Sequence, residues 1–137
     1  MKFAIIFIGM IWCHIIDDYC LQGILKDLKQ KDWWAKQTDN KMYKNDYKVA
    51  LLCHAFSWSC SISIIPLVYT IINKATINII DGVLFALIIT FICNVTLHYD
   101  IDNMKANAKS INLVIDQLMH LAQIIITFIV WLCFMQI

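Results

Sequence analysis

Residues 111–137 read INLVIDQLMHLAQIIITFIVWLCFMQI, an almost unbroken apolar run with few polar interruptions. A helix rises 1.5 Å per residue, so about 20 residues are enough to cross the hydrocarbon core of a bilayer. Strands are excluded because an open sheet edge cannot be satisfied in lipid and because the run lacks alternation with a period of two. The stretch therefore predicts a transmembrane helix, and it carries Asp116 and His120 four residues apart.

Three similar runs precede it, at about residues 3–25, 49–72 and 79–102. Of the 137 residues, 61% are hydrophobic, and the mean hydropathy is +0.67. A soluble domain of this size could not hide so much apolar surface from water, whereas lipid removes the need. Short turns after the second and third runs make the last three helices antiparallel neighbours. We predict an all-α, integral membrane four-helix bundle, residues 1–137 forming one domain, with an interfacial segment, residues 26–48, between helices one and two.

Lysine placement predicts the orientation. Seven lysines lie in segment 26–48 and two more, Lys105 and Lys109, lie between helices three and four, whereas only Lys2 and Lys74 lie on the other side. The positive-inside rule then makes both lysine-rich loops cytoplasmic and puts both termini outside, in a bacterial inner membrane. The net charge of +1 gives no reason to expect nucleic acid. The absence of Arg and Glu beside frequent Ile and Asn suggests an AT-rich genome, of a phage or a low-GC bacterium.

Segment 26–48 also carries aromatic residues among its lysines. Such a segment can lie on anionic headgroups with its aromatic rings at the membrane interface. It can also contact substrate, and the residues that would face a headgroup or substrate are Trp33, Trp34, Lys36 and Lys41. The six cysteines lie in apolar stretches without a CxxC pair, which favours a packing role over metal or redox chemistry.

Ionisable residues inside the predicted helices form the candidate site. All four histidines of the chain are among them, and each of the seven lies within twelve residues of a cytoplasmic lysine: His14, Asp18, His54, His98, Asp102, Asp116 and His120. Residues four apart share a helix face. An ionisable group at mid-membrane costs about 2.5–3.5 kcal/mol on insertion scales. We therefore expect the seven side chains to point inward and to meet.

Metal binding is the first chemistry that imidazole and carboxylate groups together predict. Neutral His nitrogens and Asp oxygens suit Zn, Mn or Fe, and facing helices of a bundle can supply them. We expect one or two divalent ions, with zinc the expected metal, and Gln22, Asn94, Asn112 and Gln117 as supporting residues. A metal-bound water could act as a nucleophile, with Asp116 or Asp18 as candidate base. Asp17, about 100° around the helix from Asp18, is predicted to be a neighbour and not a ligand.

Two alternatives stay open at this point. A lone intramembrane histidine often serves only as a hydrogen-bonding link between helices. His–Asp chains also form proton pathways, although here the polar residues cluster at one depth, which favours a cavity open to one side.

Five blocks of the chain resemble a family of small bacterial and phage membrane proteins catalogued as domain of unknown function 3307. They are His14-x-x-x-Asp18-x-x-Leu21-Gln22, Asp32-Trp33-Trp34-Ala35-Lys36, Leu51-Leu52-x-His54, His98-x-x-x-Asp102-x-x-Lys105 and Asp116-Gln117-x-x-His120. The blocks follow the family's order over most of the chain. Such proteins often carry a second histidine one turn after the position of His54, where this chain has Trp58. The resemblance therefore implies a site poorer by one ligand.

The family's HxxxD helices are distantly similar to zinc-dependent phospholipases and nucleases and to membrane-bound metal-dependent hydrolases. By that analogy, the resemblance implies a metal-dependent hydrolase acting on a phosphoester or lipid-like substrate at the cytoplasmic face. The alternative is a non-enzymatic protein, either a metal or proton carrier or a phage-encoded factor acting on a host protein. The partners expected are membrane lipids and the lipid-like substrate, with a homo-oligomer left open.

Overall fold

The computed structural model describes residues 1–73 and 77–135, with side chains of the second range from residue 81 onward. Within these ranges the chain is helical, without strands, as the sequence predicted. The α-helices are α1 (Lys2–Ile16), α2 (Leu25–Leu28), α3 (Lys31–Gln37), α4 (Asp46–Asn73), α5 (Ile77–Asn103) and α6 (Leu113–Met135). Single π-helical turns extend α1 over Asp17–Leu21 and α5 over Met104–Ala108, and a 3₁₀ turn spans Lys41–Tyr43.

Four of these helices, α1, α4, α5 and α6, are long and apolar enough to cross a membrane. This confirms the all-α four-helix bundle. The first helical run ends at Leu21 and not near residue 25, because Gly23 with a φ of +48° turns the chain. Helix α4 begins at Asp46, three residues before the expected start. The turn predicted between residues 72 and 79 is shorter than expected, because α4 ends at Asn73 and α5 begins at Ile77. Residues 74–76, including Lys74, and the last two residues of the fourth run lie outside the described residues.

The bundle is apolar outside and partly polar inside. Helix α4 packs against α1 and α5, and α6 packs mainly against α5. Large hydrophobic side chains such as Ile8, Phe85 and Ile126 are exposed around the outside, a surface that suits lipid better than water. Five of the six cysteines are exposed on the apolar outer surface and Cys13 is half-buried, so most of them do not pack in the interior of the bundle. Lipid permits this because a thiol is a small apolar group.

One half of the interior is closed by apolar packing. Met10, Ile62, Leu87, Ile124 and Trp131 belong to a cluster drawn from all four long helices. Met10, Ile62 and Trp131 are fully buried. Among the described residues of this half, Thr70 is a buried polar side chain, and it accepts a hydrogen bond from Trp131 and donates to its own helix.

The segment between α1 and α4 folds against the connection between α5 and α6. The Asn107 side chain donates to the Lys29 carbonyl over 3.1 Å and accepts from the Lys31 backbone N–H over 2.7 Å. Lys109 lies 2.8 Å from Asp32, and its ammonium group holds the pKa of that carboxyl below the usual value. These contacts anchor α2 and α3 at the end of the bundle that carries the histidines. An interfacial position for the segment stays a prediction.

Candidate metal centre

All four long helices bring ionisable side chains to the same end of the bundle. The last turns of α1 and α5 and the first turns of α4 and α6 meet there, next to the segment formed by α2 and α3. Six of the seven predicted residues are buried, and the side chain of the seventh, Asp18, is only 6% exposed. The four rings and three carboxylates lie together in the interior and do not face the outer surface.

Asp102 lies among three imidazoles. Its Oδ2 is 3.4 Å from Nε2 of His54 and 3.9 Å from Nε2 of His98, and its Oδ1 is 3.5 Å from Nε2 of His120. One potential metal-ligand atom from each of His98, Asp102 and His120 lies within 4.8 Å of the other two, and all three residues are buried. Two imidazoles and a carboxylate form one group that could hold a metal ion.

A second group shares a residue with the first. Donor atoms of Asp18, His54 and His98 also lie within 4.8 Å of one another, and Asp18 Oδ1 is 3.3 Å from His54 Nε2. Because His98 belongs to both groups, a single ring nitrogen of His98 cannot bind a metal ion in each group at the same time.

The spacing and the unpaired atoms of the site suit a bound cation. Protein hydrogen bonds are 2.7–3.2 Å long, whereas the imidazole–carboxylate separations here are 3.3–3.9 Å. With zinc–nitrogen bonds of 2.0–2.1 Å, neighbouring ligand atoms of a tetrahedral site lie about 3.3 Å apart. Both ring nitrogens of His98, Nε2 of His120 and Oδ1 of Asp116 are buried without a hydrogen-bond partner. Such atoms are costly in a dry interior unless something binds them.

Trp58 holds two of the rings in place. Its indole stacks on His98 at a centroid distance of 4.3 Å, and the His120 ring also stacks on His98, at 4.1 Å. Its Nε1–H donates to Nδ1 of His14 over 2.8 Å. This bond occupies the His14 nitrogen that lies 3.4 Å from Asp18, and His14 is in neither metal-holding group. Trp58 thus packs within the site and contacts its rings.

A buried polar chain fixes His120 from behind. Nδ1 of His120 is 3.2 Å from Oε1 of Gln123, whose amide nitrogen approaches the Asn94 carbonyl at 3.3 Å. Asn94 in turn donates to the Thr127 hydroxyl over 2.7 Å. Asn94 was predicted as a supporting residue, but Gln123 and Thr127 were missed. Their spacing of three and seven residues from His120 on α6 was the available signal.

Two lysines pair with carboxylates of the site. Lys29 Nζ is 2.6 Å from Asp102 Oδ2, and Lys105 Nζ is 2.7 Å from Asp116 Oδ2. Sequence reasoning missed both pairs, because Lys29 lies 73 residues from its partner. The Asp116 carboxylate also lies 3.5 Å from His120 Nε2.

The predicted supporting residues divide into two kinds. Gln117 approaches Asp116 at 3.0 Å and Asp18 at 3.4 Å, and Gln22 approaches His54 at 3.3 Å. Asn112, in contrast, accepts from the Ile115 backbone N–H and so caps the first turn of α6.

Asp17 has a larger role than its predicted one as a neighbour. It is buried, accepts hydrogen bonds from Ser57 over 3.0 Å and Ser61 over 2.7 Å, and lies 3.7 Å from Nδ1 of His54. Ser57 and Ser61 lie four residues apart on α4, a pattern visible in the sequence. The carboxylate therefore lies behind the ring whose Nε2 faces Asp18.

Comparison of the chain with protein-family models, with curated proteins and with solved structures finds no match.

A cleft of about 250 Å³ connects the site to the surface. Asp18 and Asp102 belong to its wall, together with nitrogen donors from the covering segment and from α5: Lys26, Lys29, Gln30 and Lys105. The predicted headgroup-facing residues lie elsewhere on the segment. Trp34 and Lys41 line a separate cleft beside Tyr43, and Trp33 and Lys36 line neither.

Proposed function

We propose that the chain is a membrane-embedded metal protein in which His98, Asp102 and His120 bind one divalent ion, with zinc the expected metal. The observation that carries the proposal is the set of buried, unpartnered ring nitrogens of His98 and His120 beside the Asp102 carboxylate. Two imidazoles and one carboxylate form a ligand set of catalytic zinc sites, which keep a fourth position for water or substrate. A cation would also offset the buried carboxylates that lipid penalises.

The finer proposal is a hydrolase of phosphoester bonds in lipid-like molecules. When bound, the ion would lower the pKa of a water and polarise a phosphoryl oxygen. Of the two candidate bases, we favour Asp18, because it lines the cleft through which substrate and water would arrive. Asp116 is fully buried and is already paired with Lys105. The chain's resemblance to domain of unknown function 3307 fits this proposal, and membership stays a prediction.

A carrier is the weaker candidate. A transport path would need polar contacts on both sides of the site, whereas the far half of the bundle is filled by the apolar cluster that includes Met10, Ile62 and Trp131. The cleft that reaches Asp18 and Asp102 lies at the end covered by α2 and α3.

The test of metal binding is elemental analysis of protein purified in detergent, extended to Zn, Fe, Mn, Co, Ni and Cu. We expect about one equivalent of a transition metal in the wild type and little in Asp102→Asn. Asp100→Asn is the matched control, because Asp100 lies on the same helix and is exposed. Metal-free wild-type protein that also fails to take up added Zn²⁺ would refute the proposal, as would full metal content in Asp102→Asn.

The test of hydrolysis is a separate experiment. Labelled phospholipids in mixed micelles are incubated with zinc-loaded protein, and the products are separated by chromatography. We expect cleavage by the wild type, and loss of cleavage in Asp18→Asn with metal content retained. If the metal-loaded wild type cleaves none of the phosphoesters, the proposed hydrolase activity is refuted, whereas the proposed metal binding stands.

A further inference from the structure

The two lysines of the site place their ammonium groups where they would compete with a metal ion for the carboxylates. Lys29 and Lys105 place their ammonium groups within 2.7 Å of Asp102 and Asp116, and both lysines line the cleft. The Lys105 side chain is 36% exposed, whereas that of Lys29 is 12% exposed. A divalent ion at the Asp102 carboxylate would repel the neighbouring ammonium group and weaken its ion pair.

The charges of the site change sign when an ion binds. Three carboxylates and two ammonium groups meet here: Asp18, Asp102, Asp116, Lys29 and Lys105. Lys26 in the cleft and Asp17 behind His54 add one charge of each sign. Without a metal the site therefore has one excess negative charge, and a divalent ion gives it one excess positive charge. A cleft lined by a site of that charge favours an anion.

The lining of the cleft indicates the kind of anion. Lysine ammonium groups and the amides of Gln22, Gln30 and Gln117 are donors suited to a phosphate group with several oxygens. At its edge the cleft is lined by Tyr19 and Leu113, which are more than half exposed and belong to the apolar outer surface. An anion bound here could therefore carry an apolar chain that extends along the outside of the bundle.

Resting on the proposed metal site, we propose that this cleft binds the phosphate group of a lipid, held by Lys29 once the metal ion has taken its place at Asp102, and by Lys105. The binding of the two ligands is then coupled. The metal makes the lysines and the positive charge accessible to the phosphate, and by reciprocity the phosphate raises the affinity for the metal by the same factor. Lys36 and Lys41, which the sequence favoured for this role, do not line the cleft.

The experiment measures binding of a phosphonate that cannot be hydrolysed. Protein in a maltoside detergent, which carries no phosphate group, is titrated by calorimetry with octylphosphonate and with methylphosphonate, both metal-free and loaded with Zn²⁺. We expect octylphosphonate to bind the zinc-loaded protein at least about tenfold more tightly than the metal-free protein. Methylphosphonate, which lacks the chain, should bind more weakly. Equal binding of the two with the same zinc dependence would refute the lipid as the source of the phosphate.

Lys29→Met separates this role from a merely structural one. The variant keeps the apolar stem and removes the ammonium group, so octylphosphonate should bind about tenfold more weakly while zinc binds as well as before or better. Lys29→Arg should retain phosphonate binding, and Lys36→Met on the same segment should change neither affinity. Weaker binding of both zinc and phosphonate in Lys29→Met would overturn the proposal, because the lysine would then only hold the fold.

Failure of this inference is distinguishable from failure of the metal site. Normal zinc binding, with phosphonate binding that depends neither on zinc nor on Lys29, overturns the phosphate cleft alone. Absence of zinc binding overturns both.

Discussion

Gln123→Met tests whether the metal centre depends on the residues behind it. Gln123 approaches Asn94 through its amide nitrogen, so its Oε1 faces Nδ1 of His120 as an acceptor. With a metal ion bound at Nε2, which lies 3.5 Å from Asp102, this bond would hold the ring hydrogen on Nδ1. Methionine has a similar length and no acceptor, so the variant removes this support while it fills the space.

Two estimates of the effect agree. A buried donor that loses its partner costs about 1–3 kcal/mol. Loss of an outer partner of a metal-bound histidine typically lowers metal affinity about 10- to 100-fold, which is about 1.4–2.8 kcal/mol. We therefore expect Gln123→Met to weaken zinc binding by about one to two orders of magnitude without removing it.

The assay is competition for Zn²⁺ against a chromophoric chelator in detergent. Gln123→Glu keeps an acceptor at the same position and should bind zinc at least as tightly as the wild type. Thr96→Val is the matched control, because Thr96 is exposed on α5 and bonds only its own helix. Wild-type affinity in Gln123→Met would refute the assignment of His120 as a ligand fixed by this bond.

Two further predictions concern the fold and the membrane. Trp58→Phe removes the hydrogen-bond donor to His14 and should lower the free energy of unfolding by about 1 kcal/mol, measured by thermal unfolding in detergent. We expect the variant to retain its zinc. Loss of zinc would instead assign His14 to the metal site. Cys93 is exposed, but in lipid a polar maleimide should not label it, since the reactive thiolate needs water. A cysteine added by Thr38→Cys should react with the polar maleimide in inverted vesicles and not in intact cells. Labelling in intact cells would contradict the predicted orientation.

The fold could be predicted because lipid imposes a simple rule. A helix that crosses hydrocarbon must be apolar over about 20 residues, and the four runs of this chain satisfy that rule without reference to one another. The ends were harder to predict, since water tolerates both helix and loop there. Gly23 ends the first helical run by a positive φ, and Asp46 begins α4 early, and neither choice changes the apolar length.

The set of inward residues was predictable for a related reason, but their partners were not. The cost of an ionisable group in lipid pushes His98, Asp102 and His120 inward whatever the details of packing. The ion pair of Lys29 with Asp102 depends instead on how the segment after Gly23 folds back. No periodicity in the sequence encodes such a contact.

Asp17 shows how local helix geometry affects a prediction based on which residues share a helix face. In a regular α-helix, residues one apart differ by about 100° and contact different neighbours. The π-helical turn over Asp17–Leu21 widens the helix at this point, a device often found at functional sites. Asp17 consequently bonds the serines of α4, while Asp18 faces the cleft.

The segment of α2 and α3 lines the access from the surface to the candidate metal centre. The cleft that reaches Asp18 and Asp102 is lined by Lys26, Lys29 and Gln30 of this segment, so it gives a route from the surface to the site. Asn107 anchors the segment to the α5–α6 connection, and Lys29 is the residue that it contributes to the site. Because the ligands lie on the long helices and a cleft lysine lies on the segment, exchange of residues in α2 and α3 should alter which anion is bound while metal binding persists.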